Sequence, residues 1–167
     1  MKTNCLFVFV SLCVILIMTS GGVFAGGRVE NIARHWKPEG RRPLAIARVA
    51  ASSDAGAQYV ASHAVDGDRG SRWVARVAPS EAAPQWITLD LLIPQEVTAV
   101  AFFGGTPGND GLQDGQVQVA GSNGDQFSAV ATIREAKSAG WLATFDPVKT
   151  SAVRVLVKRS PSLYLTR

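Results

Sequence analysis

A short acidic loop carries the densest set of potential oxygen ligands in the chain. Its sequence is Asp66-Gly67-Asp68-Arg69-Gly70-Ser71, which places two carboxylates and a hydroxyl within six residues. Hard cations such as calcium bind about six to eight oxygens, and a tight turn offers backbone carbonyls as readily as side chains. The alternative is a turn in which Asp66 and Asp68 accept hydrogen bonds from nearby N–H groups. The residues alone leave both interpretations open.

A second pair of carboxylates, Asp110 and Asp114, tests whether the chain could be an enzyme. The pair could resemble that of a glycosidase, but it lies in a glycine-rich loop with no apolar pocket predicted around it. A solvated carboxylate has no cause for the raised pKa that a general acid needs. The chain also lacks a histidine pair for a metal and a Gly-x-Ser-x-Gly motif. We therefore expect no catalytic activity.

The first 25 residues have the pattern of a secretory signal peptide. Lys2 precedes an apolar run from Cys5 to Met18, and Val23-Phe24-Ala25 supplies small residues at the positions that a signal peptidase reads. This run is shorter than the roughly 20 residues of a membrane-spanning helix. We expect cleavage after Ala25, secretion to an extracellular or periplasmic space, and no integral membrane segment after processing. Cleavage would also remove both cysteines of the chain.

Residues 26–43 are predicted to be a linker or a loose N-terminal arm. They mix glycine, proline and charged residues with the lone aromatic Trp36, and they show no sustained period. The formal net charge of +4 is mild, and many of the basic residues crowd into this part of the chain. A nucleic-acid-binding surface would need a basic stripe with exposed aromatic residues or a reading element, and neither is visible.

From Leu44 onward the chain consists of short β-favouring runs separated by Gly, Pro, Asn and Asp, which predicts an all-β sandwich or barrel. In the clearest strand, Gln85–Leu91, Ile87, Leu89 and Leu91 lie on one face. Pro84 and Pro94 bound this strand. Further strands are predicted at Val97–Phe103, at Gln116–Val119 and Phe127–Ile133 as a hairpin around Asn123-Gly124, at Trp141–Phe145 and at Val153–Lys158.

Several short motifs follow one another in a recognisable order. They are Ala51-Ser52-Ser53, Ala64-Val65-Asp66-Gly67-Asp68 followed by Ser71-Arg72-Trp73, Gln85 to Leu91, Ser122-Asn123-Gly124-Asp125, Phe145-Asp146-Pro147 and Ala152-Val153-Arg154-Val155. In this order they resemble the discoidin domain, also called the coagulation factor V/VIII C-type domain, whose bacterial members include sugar-binding modules. The resemblance spans residues 44–167. Each motif alone is weakly specific, whereas the ordered set is specific.

The resemblance implies a two-sheet antiparallel β-sandwich of the jelly-roll, galactose-binding type, with ligand loops at one end. It also implies a structural calcium ion in the acidic loop, held by side-chain oxygens of Asp66 and Ser71 and by the carbonyl of Asp68. The family has a further acidic ligand in its last strand, where this chain has Arg167, whose charge would oppose a divalent cation. The short C-terminal strand would also leave an open sheet edge through which the chain could self-associate.

Sugar recognition needs an aromatic face together with charged or amide side chains that bind hydroxyls. In the loops implied by the resemblance, the candidate ligand-binding residues are Tyr59, His63, Arg76, Asn109 and Trp141. For His63 the alternative is a packing or hydrogen-bonding role, and for Trp141 it is burial at the start of a strand. Trp73 and Trp86 lie inside the structural motifs and are expected to pack within the fold.

These observations together predict a secreted, non-catalytic module that binds a glycan or polysaccharide. One alternative is a module that binds phospholipid surfaces or mediates cell adhesion, although the predicted loops are poor in the large apolar residues that enter a bilayer. Another is a structural appendage of a larger glycan-active assembly, attached through the open sheet edge.

Overall fold

The computed structural model describes residues 8–10, 15–18, 27–32, 42–68, 70–103, 112–121, 126–135 and 140–160. Within these ranges no helix has the length and hydropathy that crossing a membrane would require. Two short 3₁₀ turns, Ala57–Tyr59 and Ala61–Ala64, precede the acidic loop. The strands are β1 (Val8–Val10), β2 (Ile15–Met18), β3 (Arg28–Asn31), β4 (Arg42–Pro43), β5 (Ile46–Ala51), β6 (Trp73–Ala75), β7 (Gln85–Phe103), β8 (Asp114–Ala120), β9 (Phe127–Ile133) and β10 (Gly140–Arg159).

The two longest strands, β7 and β10, form the centre of the larger sheet. They pair antiparallel over almost their whole length, from Phe103 opposite Gly140 to Gln85 opposite Val157. On either side, β5 and β2 pair with β7, while β8 and β3 pair with β10. The sheet is extended by β9 on β8 and by β4 on β2, and β1 pairs with β6 separately. All of these pairings are antiparallel.

Both central strands are interrupted where a proline stands. The ladder between them shifts register between Thr144 and Val148, where Pro147 lies. A second shift, between Thr150 and Ala152, leaves residues 91–94 of β7, including Pro94, without a partner in β10. Proline has no N–H to donate, so it fits where the ladder is interrupted. The sequence predicted separate strands on either side of each proline. In the structure each pair is one continuous strand.

The two halves of the central strands share one hydrophobic core. The first half of β7 contributes Ile87, Leu89 and Leu91, as the alternation predicted. Core residues of the other half and its partners are Val97, Val100, Phe102, Trp141, Ala143 and Phe145. Two layers of strands packed on one core make an antiparallel β-sandwich, which confirms the predicted all-β fold class.

Part of the segment predicted as a loose arm lies in the sheet. Strand β3 pairs with β10, from Asn31 opposite Trp141 to Arg28 opposite Thr144. Ile32 follows it and is buried in a second apolar cluster with Phe103 and Leu142. A four-residue strand among charged residues has too little alternation to be separated from a loop by sequence. Residues 28–32 thus belong to the sheet and its core, residues 33–41 lie outside the described ranges, and the arm as a whole stays a prediction.

The apolar run predicted as a leader contributes β1 and β2. Strand β2 pairs with residues 99–101 of β7, and β1 pairs with β6. The other pairings of the sheet do not depend on β1 or β2. In these, β3 pairs with β10, β5 with β7, β7 with β10, β10 with β8 and β8 with β9. The signal peptide stays a prediction, and cleavage after Ala25 would remove β2 from the larger sheet and β1 from its pairing with β6.

The predicted hairpin is present as β8 and β9, which pair from Gly115 opposite Ile133 to Ala120 opposite Phe127. Its turn, residues 122–125, lies outside the described ranges. The same holds for residues 161–167, so the open C-terminal edge and the position of Arg167 stay predictions.

The outer face of the sheet carries a stacked arginine. The guanidinium of Arg154 lies 4.7 Å from the ring centre of Trp86 and 3.8 Å from that of Phe127, and its Nε donates to Thr88 Oγ1 at 3.0 Å. Burial between the rings lowers the pKa of Arg154 below its ordinary value. Trp86 is half-buried in this stack and Trp73 is fully buried, so both tryptophans pack within the fold, as predicted.

Gly115 stands where β8 and β10 approach too closely for a side chain. A Cβ there would overlap the carbonyl oxygen of Leu156 and lie 2.8 Å from Leu112 Cδ1. We expect Gly115→Ala to lower the free energy of unfolding by about 2 kcal/mol in urea titration, because backbone must move to admit the methyl group. Gly121→Ala is the control, since its Cβ would meet only Gln126 O at 3.5 Å. Equal stability of the two variants would contradict this close approach.

Candidate functional site

The strand register brings several connecting segments to one end of the sandwich, called here the loop end. Gln85 pairs with Val157, Val157 with Gly115, and Gly115 with Ile133. The segments before Gln85, before Asp114, after Ile133 and after Val157 therefore meet there. Because Ala51 pairs with Ile87 near the same end, the segment after β5 joins them.

A buried hydrogen-bond network supports the loop end from below. The side-chain oxygen of Gln85 accepts from the hydroxyls of Ser52 and Ser53, each at 2.8 Å. Each hydroxyl also accepts one backbone N–H, that of Trp86 for Ser52 and that of Arg76 for Ser53, both at 3.1 Å. Gln85 is only 8% exposed. Since every hydroxyl donates once and accepts once, the network fixes where the adjoining loops begin.

Two of the predicted ligand-binding residues, Arg76 and Tyr59, lie in segments that adjoin this network. The indole of Trp73 donates to the Ser53 carbonyl at 3.0 Å, and Arg76 Nε donates to the Asp54 carbonyl at 3.2 Å. The Arg72 guanidinium lies 5.6 Å from the ring centre of Tyr59. Arg76 is exposed, whereas Tyr59 is half-buried. The carboxylate atom Asp54 Oδ1 is buried without a hydrogen-bond partner within the described ranges, so a donor from a ligand or water would satisfy it.

The acidic loop closes around the hydroxyl of Ser71. Three oxygens lie within hydrogen-bond distance of Ser71 Oγ: Asp66 Oδ2 at 2.6 Å, the Asp68 carbonyl at 2.9 Å and the His63 carbonyl at 3.2 Å. A hydroxyl has one hydrogen and can donate to only one of them at a time. The hydrogen bond from Ser71 holds the pKa of Asp66 below its ordinary value of 3.8, against the effect of burial. The result is a cluster of four oxygens: the Ser71 hydroxyl, one oxygen of the ionised Asp66 carboxylate, and the carbonyls of Asp68 and His63.

These oxygens fit a hard cation in kind, although they are fewer than calcium takes. Within the described ranges no three His, Cys, Asp or Glu side chains cluster as they would in a metal site, so carbonyl and hydroxyl oxygens would have to contribute. The predicted set of Asp66, Asp68 and Ser71 comes together in space. The His63 carbonyl is an addition that the sequence did not reveal, because no side-chain type marks a carbonyl ligand.

His63 itself has a local partner. Its Nδ1 donates to the Gln58 carbonyl at 3.1 Å and so joins the two 3₁₀ turns. Trp141 is only 6% exposed, and its ring stacks on Phe102 with the ring centres 6.4 Å apart. Because the Trp141 indole is buried, it has no free face for a sugar. This agrees with the alternative given for Trp141, burial at the start of a strand. Asn109 lies outside the described ranges.

A polar pocket of about 400 Å³ opens at the loop end. Its floor includes Gly115 and Ile133, at the ends of β8 and β9. Charged side chains from four different segments surround it: Glu81, Asp114, Arg134, Glu135, Lys158 and Arg159. Within the sequence these residues are far apart, and only the strand register assembles them. Of these six residues, only Asp114 was identified from the sequence, as one of a possible pair of carboxylates.

Two ion pairs cross this pocket. Lys158 Nζ lies 3.1 Å from Glu81 Oε2, and Arg159 Nε lies 2.5 Å from Asp114 Oδ2. The other oxygen of Asp114 accepts the backbone N–H of Glu135 at 2.7 Å. Glu135 has a φ of 50°, and it is the one non-glycine residue with positive φ in the described ranges. Its hydrogen bond to Asp114 helps to hold this strained conformation.

The chain matches known proteins over most of its length. The F5/8 type C domain profile matches residues 48–165. A comparison with curated proteins gives no significant match. Among solved structures, chitosan-binding module 1 of a chitosanase/glucanase from Paenibacillus sp. IK-5 is similar, with a TM-score of 0.58 and 25% identity over 70% of this chain and 85% of that one.

Two further structures are similar. Chitosan-binding module 2 of the same Paenibacillus enzyme, in complex with chitotriose, has a TM-score of 0.58 and 26% identity over 70% of this chain and 86% of that one. The family 32 carbohydrate-binding module of Clostridium perfringens NanJ, in complex with galactose, has a TM-score of 0.55 and 24% identity over 67% of this chain and 82% of that one. The latter likeness shows the fold alone.

Asp114 makes the loop end sensitive to acid. Burial acts to raise its pKa, but hydrogen bonds from Glu135 and Arg159 and the nearby positive charges hold it below 3.8. The ionised carboxylate therefore stabilises the folded protein above about pH 4, and this contribution is lost as the pH falls through the folded pKa. In urea titrations, Asp114→Asn should be less stable at pH 7, and the difference should vanish near pH 2. Glu96→Gln, which removes an exposed carboxylate elsewhere, is the control; a constant difference for Asp114→Asn would contradict the assignment.

Proposed function

The chain belongs to the F5/8 type C domain family, and on that premise we propose that it is a non-catalytic carbohydrate-binding module that holds a glycan at its loop end. The observation that carries the proposal is the polar pocket of about 400 Å³ at this end of the fold. Its size suits one or two sugar units, and its lining offers donors and acceptors side by side, as sugar hydroxyls need. The similar Paenibacillus modules, which bind chitosan, support the same class of ligand.

The electrostatics of the pocket support binding without catalysis. A general acid needs a carboxyl group whose pKa is raised towards the working pH. Asp114 has the opposite shift, because it accepts hydrogen bonds from Glu135 and Arg159. Glu81 is paired with Lys158 and is 76% exposed. Asp114 therefore lacks the environment of a proton donor to a leaving group.

We also propose that the module is exported and that its acidic loop binds calcium. The apolar run before Ala25 supports export. The oxygen cluster of Asp66, Asp68, Ser71 and the His63 carbonyl supports a hard cation, which would neutralise the carboxylate and fix the loop. Such an ion would shape the fold beside the binding segments and take no part in chemistry.

Phospholipid binding is the rival function. Membrane-binding relatives of such folds use exposed apolar side chains at their loop tips. Within the described part of the loop end, Val77 is the one large apolar side chain that is exposed, at 53%. Leu92 and Ile93, which are more exposed, lie at the opposite end of β7's first half. The described loops therefore favour a sugar over a bilayer.

Arg76 provides a test of glycan binding at this end. Arg76→Gln should weaken retention of the protein in affinity gels containing the polysaccharide it binds by about 10-fold, because it removes charged donors that contact hydroxyls. Arg48→Gln is the control, since Arg48 of β5 forms an ion pair with Asp90 of β7, away from the loop end. Uniform lack of retardation by neutral, acidic and cationic polysaccharides would reject the proposal, and sedimentation with liposomes at physiological salt would favour the rival.

Calcium binding is tested by thermal unfolding. With 10 mM calcium chloride, we expect the melting temperature to rise by about 4 °C if the dissociation constant is near 1 mM. Asp66→Asn should abolish the rise, because it removes the charge of the cluster. Asp68→Asn should keep it, because the Asp68 side chain accepts from Gly70 N and only its carbonyl faces Ser71. No effect of calcium on the unsubstituted protein would contradict the proposal.

A further inference from the structure

Only four of the six charged side chains in the pocket form ion pairs with one another. Glu81 is paired with Lys158, and Asp114 is paired with Arg159. Both carboxylate oxygens of Asp114 are engaged, since the second oxygen accepts from Glu135 N. Two of the three carboxylates are thus already engaged with cations.

Positively charged donors remain available. Arg134 is exposed and makes no hydrogen bond or ion pair with another residue of the described ranges. Arg159 also lines the pocket and uses its Nε for Asp114, so its terminal nitrogens are not needed for that hydrogen bond. Arg134 also lies close enough to Asp114 for its charge to act on that carboxylate. Two guanidinium groups that both act on Asp114 therefore line the cavity and can donate to a ligand.

We propose that this pocket takes a sugar bearing a carboxylate, such as a hexuronic acid. Arg134 and Arg159 hold the carboxylate of the sugar, while Glu135 and Glu81 accept hydrogen bonds from its hydroxyls. A planar carboxylate matches the fork of a guanidinium, and such charge-assisted pairs are stronger than hydrogen bonds between neutral groups. The inference rests on the proposed function, because it names the class of sugar that the loop end binds.

The alternative of a cationic amino sugar fits this lining less well. Within the described ranges Glu135 is the one pocket carboxylate without a cation paired to it, and its sequence neighbour is the unpaired Arg134. An ammonium group would have Glu135 as its one carboxylate partner without a paired cation, and the charge of the exposed Arg134 beside it would oppose the ammonium. The net charge of +4 also attracts anions to the molecule as a whole. The pocket thus differs in preference from the chitosan-binding modules that the fold resembles.

Titration calorimetry with matched ligands tests the inference. Trigalacturonate and neutral galactotriose differ in their carboxylates, and we expect the acid to bind at least about 10-fold more tightly at low salt. This preference should shrink as salt is raised to about 0.5 M, because ions screen exposed charges. Chitotriose serves as the cationic ligand and should bind more weakly than either.

Two neighbouring variants separate the pocket from general charge. Arg134→Gln should cost the acid about 10-fold more affinity than it costs the neutral trimer, whereas Glu135→Gln should raise affinity for the acid by about 3-fold. Arg48→Gln removes the same charge from a distant, 76% exposed side chain and is the control. Equal losses in Arg134→Gln and Arg48→Gln would overturn the assignment to the pocket.

The outcomes also distinguish this inference from the proposed function. Binding of galactotriose or chitotriose as tight as that of the acid would overturn the acidic-sugar assignment and leave the carbohydrate-binding module intact. Failure of all three trimers, together with uniform lack of retardation in the polysaccharide gels, would overturn both. Preference for the acid with a selective loss in Arg134→Gln would support both.

Discussion

The antiparallel ladder between β7 and β10 is the constraint on which the rest of the molecule depends. Within the larger sheet, every other strand pairs with one of these two or with a strand that does. The two ladder interruptions, at Pro147 and beside Pro94, divide the pair into halves that share one core. A change of register in this ladder would turn core side chains such as Ile87 and Leu89 outward and would misalign all the segments of the loop end.

The loop end combines a fixed base with an open polar surface. Beneath it, Gln85, Ser52 and Ser53 form a satisfied network that ties β5, β6 and β7 together. Above it, the charged side chains of the pocket other than Glu81 come from strand ends or the residues next to them, so their backbone positions follow from the sheet. Binding to such a surface needs little rearrangement of the main chain, which lowers the entropic cost of holding a ligand. Specificity then depends on which charges remain unpaired.

The sequence was most informative where one face of a strand is buried. Alternation in Gln85–Leu91 predicted the correct inward residues, and the hairpin strands were predicted by their pattern. The role of Trp141 could not be predicted in this way, because its strand is buried on both faces: Trp141 lies in the main core and Leu142 in the second cluster. The order of the family motifs predicted the sandwich. The pocket escaped prediction because Glu81, Arg134 and Lys158 meet only through pairing across four strands.

The stack of Arg154 on Trp86 gives the molecule a built-in optical label. Trp73 and Trp141 are enclosed by the core, whereas the indole of Trp86 lies against a cation on the outer face. Because a positive charge near an indole alters the energy of its excited state, we expect Trp86 to emit at a different wavelength from the buried Trp73 and Trp141. Trp86 is also paired with Leu156, and Leu156 with Gln116 at the rim of the pocket. The fluorescence of Trp86 therefore comes from a residue two strands away from Gln116, which lines the pocket proposed to bind the ligand.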